Sequence, residues 1–316
     1  MLMQRMANYD TIQQVTGKNM KIIKNISVNL RMVFTNYGFY ICTAFTVVLC
    51  FCTGIYRDPT NNNEYSVIKS FMKFDREFML NDFSFCSYKV AESGSGSWLS
   101  MFIPIISAFA FIPLVCDESE SKFIRFSIFR SSKFSYHTSN FLTACISGGL
   151  AVTFGYIIFT VSVYALFPNI REYSPEMQAM LKEEISYAYP EVSKHGHIFL
   201  LGIKSAEMFL YGALSSVPAV MLTCLMKNKY LVMCIPFFLK YVVTQTSVKL
   251  SARALSDWEN PDMKLCKFAS VISPDAIPNV FTSQYMRLIF LYNGALVLTA
   301  FLFYMIVYGR RLDCGE

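Results

Sequence analysis

Residues 141–167 read FLTACISGGLAVTFGYIIFTVSVYALF, without one Asp, Glu, Lys, Arg, His or Pro. A soluble core helix rarely stays apolar around its whole circumference for so long. A helix that crosses a bilayer must: roughly 20 apolar residues, at about 1.5 Å each, cover about 30 Å of hydrocarbon. Working outward, the same signature recurs at 39–55, 98–115, 198–226, 230–248 and 287–308. The runs 141–167 and 198–226 exceed the minimum, so tilt or protrusion is expected. The first two in chain order are at the short end. Across all 316 residues, hydrophobic side chains make up 54% and charged ones 16%, against about 25% charged in a soluble domain. That balance excludes a disordered chain, a secreted disulfide scaffold and a coiled coil. The expected fold is all-α: a polytopic membrane protein with six transmembrane helices. The first run starts only after residue 38, too late for a cleaved leader, so it is expected to stay as an anchor.

Lys and Arg set the orientation. With both termini cytosolic, the inner segments are 1–38, 116–140, 227–229 and 309–316. They hold thirteen basic and six acidic residues, against twelve and fifteen in the longer outer segments 56–97, 168–197 and 249–286. The net charge of +6 therefore reads as a topology signal at the plasma membrane. No basic stripe interleaved with stacking aromatics argues for nucleic acid. The chain divides into a cytosolic segment 1–38, a membrane domain 39–308 and a cytosolic tail 309–316.

The segments between the runs carry their own patterns. In 18–37, Ile22, Ile26, Leu30, Val33 and Phe34 share a helical face opposite Lys21, Lys24 and Arg31, with Asn29 on the apolar side. That predicts an amphipathic interfacial helix before the first span. The inner loop 116–140 places Asp117, Glu118 and Glu120 before Lys122, Arg125, Arg130 and Lys133, with Phe123, Phe126, Ile128 and Phe129 interleaved. Acid first and base later suits a short helix through its dipole. The aromatic knobs suit docking to another protein. Outside, an acidic helix is expected from 175 to 187. Pro261, Pro274 and Pro278 cut 249–286 into pieces too polar to span, which predicts short re-entrant helices between helices five and six.

Chemical motifs are mostly missing. There is no G-x-x-x-x-G-K-[ST], H-E-x-x-H or G-x-S-x-G, so nothing points to nucleotide hydrolysis, a zincin or a hydrolase on this chain. His195 and His197 are two ligands where a metal needs more, so no metal is expected. His137, alone in the inner loop, reads as a surface residue. Of ten cysteines only Cys86 and Cys266 fall in outer segments, where a disulfide is possible. The strongest residue signal is charge within the spans. Lys204 and Glu207 share a helix face, and Lys240 follows Pro236. Such charges cost several kcal/mol unless paired or hydrated. They are read either as structural pairs or, with Thr244 and Gln245, as part of a polar substrate path.

The layout as a whole, with Glu118-Ser-Glu120-Ser-Lys-Phe-Ile-Arg125 and Arg130-Ser-Ser-Lys133 after span two, resembles the permease subunit of ABC-2 type (type V) ABC exporters. Ser121 stands where that family commonly has glycine, and Asn140 where a lysine often precedes span three. The resemblance implies a dimer of permeases, identical or not, and a separate ATPase subunit that holds ATP and magnesium. Its coupling contacts would fall on Glu118, Glu120, Phe123, Arg125, Phe126, Arg130 and Lys133. The cargo would be an amphiphile, peptide or lipid-like. Competing readings are a stand-alone carrier and a membrane anchor or sensor subunit.

Overall fold

The computed structural model describes residues 21–59, 61–120, 132–189, 197–226, 228–256 and 262–313. They form an α-helical bundle with one small hairpin. In chain order the helices are α1 (Lys21–Thr35), α2 (Tyr37–Cys52), α3 (Val67–Lys73), α4 (Arg76–Leu80), α5 (Ser87–Ser93), α6 (Ser97–Phe109), α7 (Ile112–Glu120), α8 (Lys133–Leu166), α9 (Pro175–Ala188), α10 (His197–Thr223), α11 (Lys229–Ala254), α12 (Met263–Ile272) and α13 (Met286–Asp313). Strands β1 (Gly54–Arg57) and β2 (Glu64–Ser66) pair antiparallel between α2 and α3.

Among the described residues, five stretches are long and apolar enough to cross a membrane: Trp98–Glu118, Lys133–Glu172, Phe199–Thr223, Lys229–Ala254 and Met286–Tyr308. The sixth expected span is different. α2 has 16 residues, about 24 Å at 1.5 Å each, and is too short alone. It passes only when joined to α1, from which it is bent by 66°. The chain leaves the helix at Thr53 because the next residues pair as a hairpin rather than continuing the helical ladder.

α8 lies at the centre, packed along α10 and against α2 and α6. Small residues allow this. A Cβ on Gly212 of α10 would sit 2.6 Å from the Gly148 carbonyl oxygen of α8. One on Gly155 would sit 2.5 Å from Thr46 Cβ of α2. Helices in lipid gain little from burying apolar surface, so close backbone approach and dense contact hold them together.

α1 docks onto the start of α8. The packed residues include Ile22, Ile26, Leu30 and Val33, as the apolar face implies, whereas Phe34 is exposed. Asn29, which interrupts that face in sequence, donates to Asn140 Oδ1 at 2.8 Å, and Asn25 donates to Ser135 Oγ at 3.5 Å. The inner loop is shorter than 116–140, because α7 carries the second span on to Glu120 and α8 starts at Lys133. That helical start buries His137, contrary to its reading as a surface residue. Its ring stacks on Tyr308 at 4.4 Å, and neither ring nitrogen has a hydrogen-bond partner among the described residues.

Candidate functional site

The intramembrane charges build two clusters, and both hold the same piece of chain. This is the turn Pro274–Asn279 and the residues just after it, between α12 and α13.

The first cluster centres on Lys204 of α10. Its side chain is 4% exposed and that of Glu207, one turn on, is 0% exposed. Their charged ends are 3.1 Å apart. Lys204 also donates to Asn279 Oδ1 at 2.7 Å and to the Pro278 carbonyl at 3.3 Å, with Glu92 of α5 at 3.9 Å. Glu207 Oε1 accepts the Phe281 N–H at 3.0 Å. Its Oε2 is held by the ion pair rather than by a directional hydrogen bond. A buried ion pair is tolerable only when further donors and acceptors complete it. Here the turn supplies them.

The second cluster centres on Lys240 of α11. Its ammonium is 3.2 Å from Asp275 Oδ1 and donates to Ser100 Oγ of α6 at 2.9 Å. It also donates to the Ser100 carbonyl and to the Tyr211 hydroxyl of α10. The Tyr211 hydroxyl lies 3.0 Å from Asp275 Oδ1 and 3.0 Å from Ser100 Oγ. Ser100 Oγ donates to Asp275, and Thr244 donates to Asp275 Oδ2 at 3.3 Å. Burial alone would push the Asp275 carboxyl up. Lys240, Ser100 and Tyr211 together outweigh burial and hold it below the usual carboxylate range.

Beside this network is a cavity of about 180 Å³. Pro104 of α6, Pro218 of α10, Pro236 of α11 and Pro274 of the turn border it, and Lys240 forms part of its wall. Each in-helix proline removes a backbone hydrogen bond, so each of these three helices lacks one ladder bond where it borders the cavity. Leu214, Leu296 and similar side chains make most of the lining apolar. An engineered apolar cavity of about 150 Å³ holds benzene, so this one has room for a single ring or a short hydrocarbon branch.

Lys204, Glu207 and Lys240 are thus brought to one segment, the turn between α12 and α13, with Thr244. Gln245 is exposed and joins neither cluster, because it follows Thr244 by one residue and turns about 100° away. Asp275 escaped the sequence reading. The available signal was charge balance: a lone lysine within a span needs an anion, and Asp275 is flanked by the prolines that return the chain toward the bundle.

At the opposite end, Glu118 accepts the Tyr136 hydroxyl at 2.7 Å, and neighbouring Asp117 pairs with Lys229 at 3.0 Å. Glu120 ends α7, and Lys133 is exposed at the start of α8. Phe123, Arg125, Phe126 and Arg130 lie outside the described residues. The possible disulfide is not formed. Cys86 is buried with Tyr88, Ile170 and Leu181 beneath α9, whereas Cys266 sits on α12 against α11 and α13, and both thiols are free. Burial pushes the Cys86 thiol up. His195 lies outside the described residues. Among the described residues no three His, Cys, Asp or Glu converge as metal ligands.

No protein-family model, no curated protein and no solved structure matches this chain.

Proposed function

We propose that this chain is the membrane-spanning subunit of an exporter for an amphiphile, working as the permease of an ABC-2 type system with six spans and both termini in the cytosol. The observation that carries the reading is the double clamp. Two buried ammonium groups, on different helices, hold one proline-bent outer segment beside a proline-lined apolar cavity. Releasing the clamps would free that segment and widen the cavity beside it.

The sequence offers no phosphate-binding loop, so the energy is assigned to a separate ATPase subunit carrying ATP and magnesium. The proposed handle is the inner loop, with α1 as a lever between it and α8. A push there reaches α8 through Asn29–Asn140 and reaches α11 through Asp117–Lys229. The apolar cavity suits the tail or aromatic part of a lipid-like or peptide cargo. A second permease, identical or not, would complete the path. The re-entrant reading of 249–286 fits a segment whose polar backbone packs against protein.

Co-purification with a candidate ATPase tests this. Replacing Glu118, Glu120 and Arg125 together by alanine should dissociate the pair or abolish ATP-driven export. An unchanged complex with full export overturns the coupling assignment. The Lys240–Asp275 pair favours one other reading, a carrier driven by an ion gradient. In that case transport into vesicles continues without any ATPase and is lost in Asp275→Asn.

A further inference from the structure

α3 is seven residues long, and they divide into three sectors around its axis. Val67 and Ser70 are buried against the bundle. Ile68, Phe71 and Met72 are exposed on one flank, Met72 by 81%. Lys69 and Lys73 are exposed on the other. At about 100° per residue the three apolar side chains form one continuous flank with the lysines beside it. Contiguous large apolar side chains on a surface mark a contact with something other than water.

The height of α3 in the molecule identifies that contact. Its first N–H, on Val67, donates to the Thr53 carbonyl just past the end of α2, at 3.0 Å. The Phe71 ring is 6.1 Å from that of Phe167, at the end of α8. Lys69 borders an open cavity of about 590 Å³ together with Cys52, Trp98 and Met101, which belong to the ends of α2 and α6. The helix therefore lies level with the ends of three membrane helices. At that level hydrocarbon gives way to headgroups, and tryptophan is a common anchor there.

We propose that α3 is a lipid-binding surface. Ile68, Phe71 and Met72 enter the acyl boundary of the leaflet at that end of the bundle, and Lys69 binds a phospholipid phosphate. Glu64 borders the same cavity, so a zwitterionic headgroup matches it, phosphate toward Lys69 and amine toward Glu64. The apolar flank suits the acyl boundary, and Lys69 beside it complements phosphate. The proposal rests on the chain being a membrane protein and is independent of the transport reading.

A benzophenone amino acid placed singly at Ile68 or Met72 in the full chain, in phosphatidylethanolamine bilayers, tests it. Both positions are exposed, so Val67 and Ser70 keep α3 in place. Ile158, exposed on α8, is the lipid-facing standard, and Asn62, exposed in the hairpin turn, is the water-facing one. Irradiation should give lipid adducts at 68 and 72 close to the Ile158 level and about tenfold above Asn62, the ratio that about 1.4 kcal/mol of partitioning gives. Lys69→Glu should lower the adduct yield at position 72, because a carboxylate there repels the phosphate that the ammonium attracts. Yields at 68 and 72 no higher than at Asn62 overturn the proposal, as do adducts to another polypeptide. A yield at 72 unchanged by Lys69→Glu overturns the headgroup contact.

Discussion

Removing Lys204 leaves Glu207 stranded, with 0% of its side chain exposed and no second cation paired with it among the described residues. Breaking a buried ion pair from one side costs about 3–5 kcal/mol, so Lys204→Met should lower the unfolding temperature sharply in detergent or lipid. The second clamp is asymmetric. Asp275 keeps 36% of its side chain exposed, against 9% for Lys240. When Lys240→Met removes the cation, Asp275 can rehydrate, and the loss is about 1.5–3 kcal/mol, the worth of a hydrogen bond to a charged group. Removing Asp275 instead strands the more deeply buried ammonium, so Asp275→Leu should cost more than Lys240→Met. The double variant should recover part of the difference; additive losses would show that the two groups do not interact. The clamp also carries a pH signature. Because the Asp275 carboxyl is held below its unfolded value, its contribution is complete above that unfolded value. It disappears as pH falls through the lower, folded one. Stability measured down an acid series should lose an increment that is absent in Asp275→Asn.

Among the elements, α8 and α10 show what a glycine does when two membrane helices meet. At Gly212 even a methyl group would meet backbone at 2.6 Å, whereas at Gly202, two to three turns earlier on the same helix, and at Gly294 of α13 nothing among the described residues lies within 4 Å. Gly212→Ala should therefore destabilise by about 1–3 kcal/mol, as overpacking does. Gly202→Ala and Gly294→Ala should be neutral or gain up to about 1 kcal/mol from helix propensity. Thermal unfolding of the three variants side by side checks the contrast. The same elements show how much could be read without coordinates. Long apolar runs located five membrane helices because hydrocarbon demands continuous apolar surface, a demand visible locally. The boundaries moved where helices leave that environment: α8 begins at Lys133 and α11 runs on to Ala254. No local apolarity marks such extensions. Lys204 and Glu207 were legible as a pair because they are three residues apart on one helix. Lys240 and Asp275 are separated by the loop and α12, so only charge balance hinted at that contact. Asn29 looked like a flaw in an apolar face and is, with Asn25, a polar contact that helps dock it.

At the scale of the molecule, burial is uneven. About half or more of the most apolar window is buried in Trp98–Glu118, Lys133–Glu172 and Phe199–Thr223, but only 22% in Lys229–Ala254 and 11% in Met286–Tyr308. α11 and α13 thus form a thin outer layer over a denser core. The double clamp ties that layer to the core through the turn between them. The charge distribution then orients the whole. The hairpin, α3 to α5, α9 and the clamped turn all lie at the end of the bundle where acidic residues outnumber basic ones, while α1, α7 and the start of α8 lie at the end richer in Lys and Arg. Positive charge resists translocation, so the second end should face the cytosol. A protease site inserted at Asn62, in an exposed hairpin turn that tolerates added residues, should be cut from outside intact cells. The same site inserted before Lys133 should be cut only in inverted vesicles. The opposite pattern would reverse the molecule in the membrane and put the clamps on the cytosolic side, where they would guard entry rather than exit.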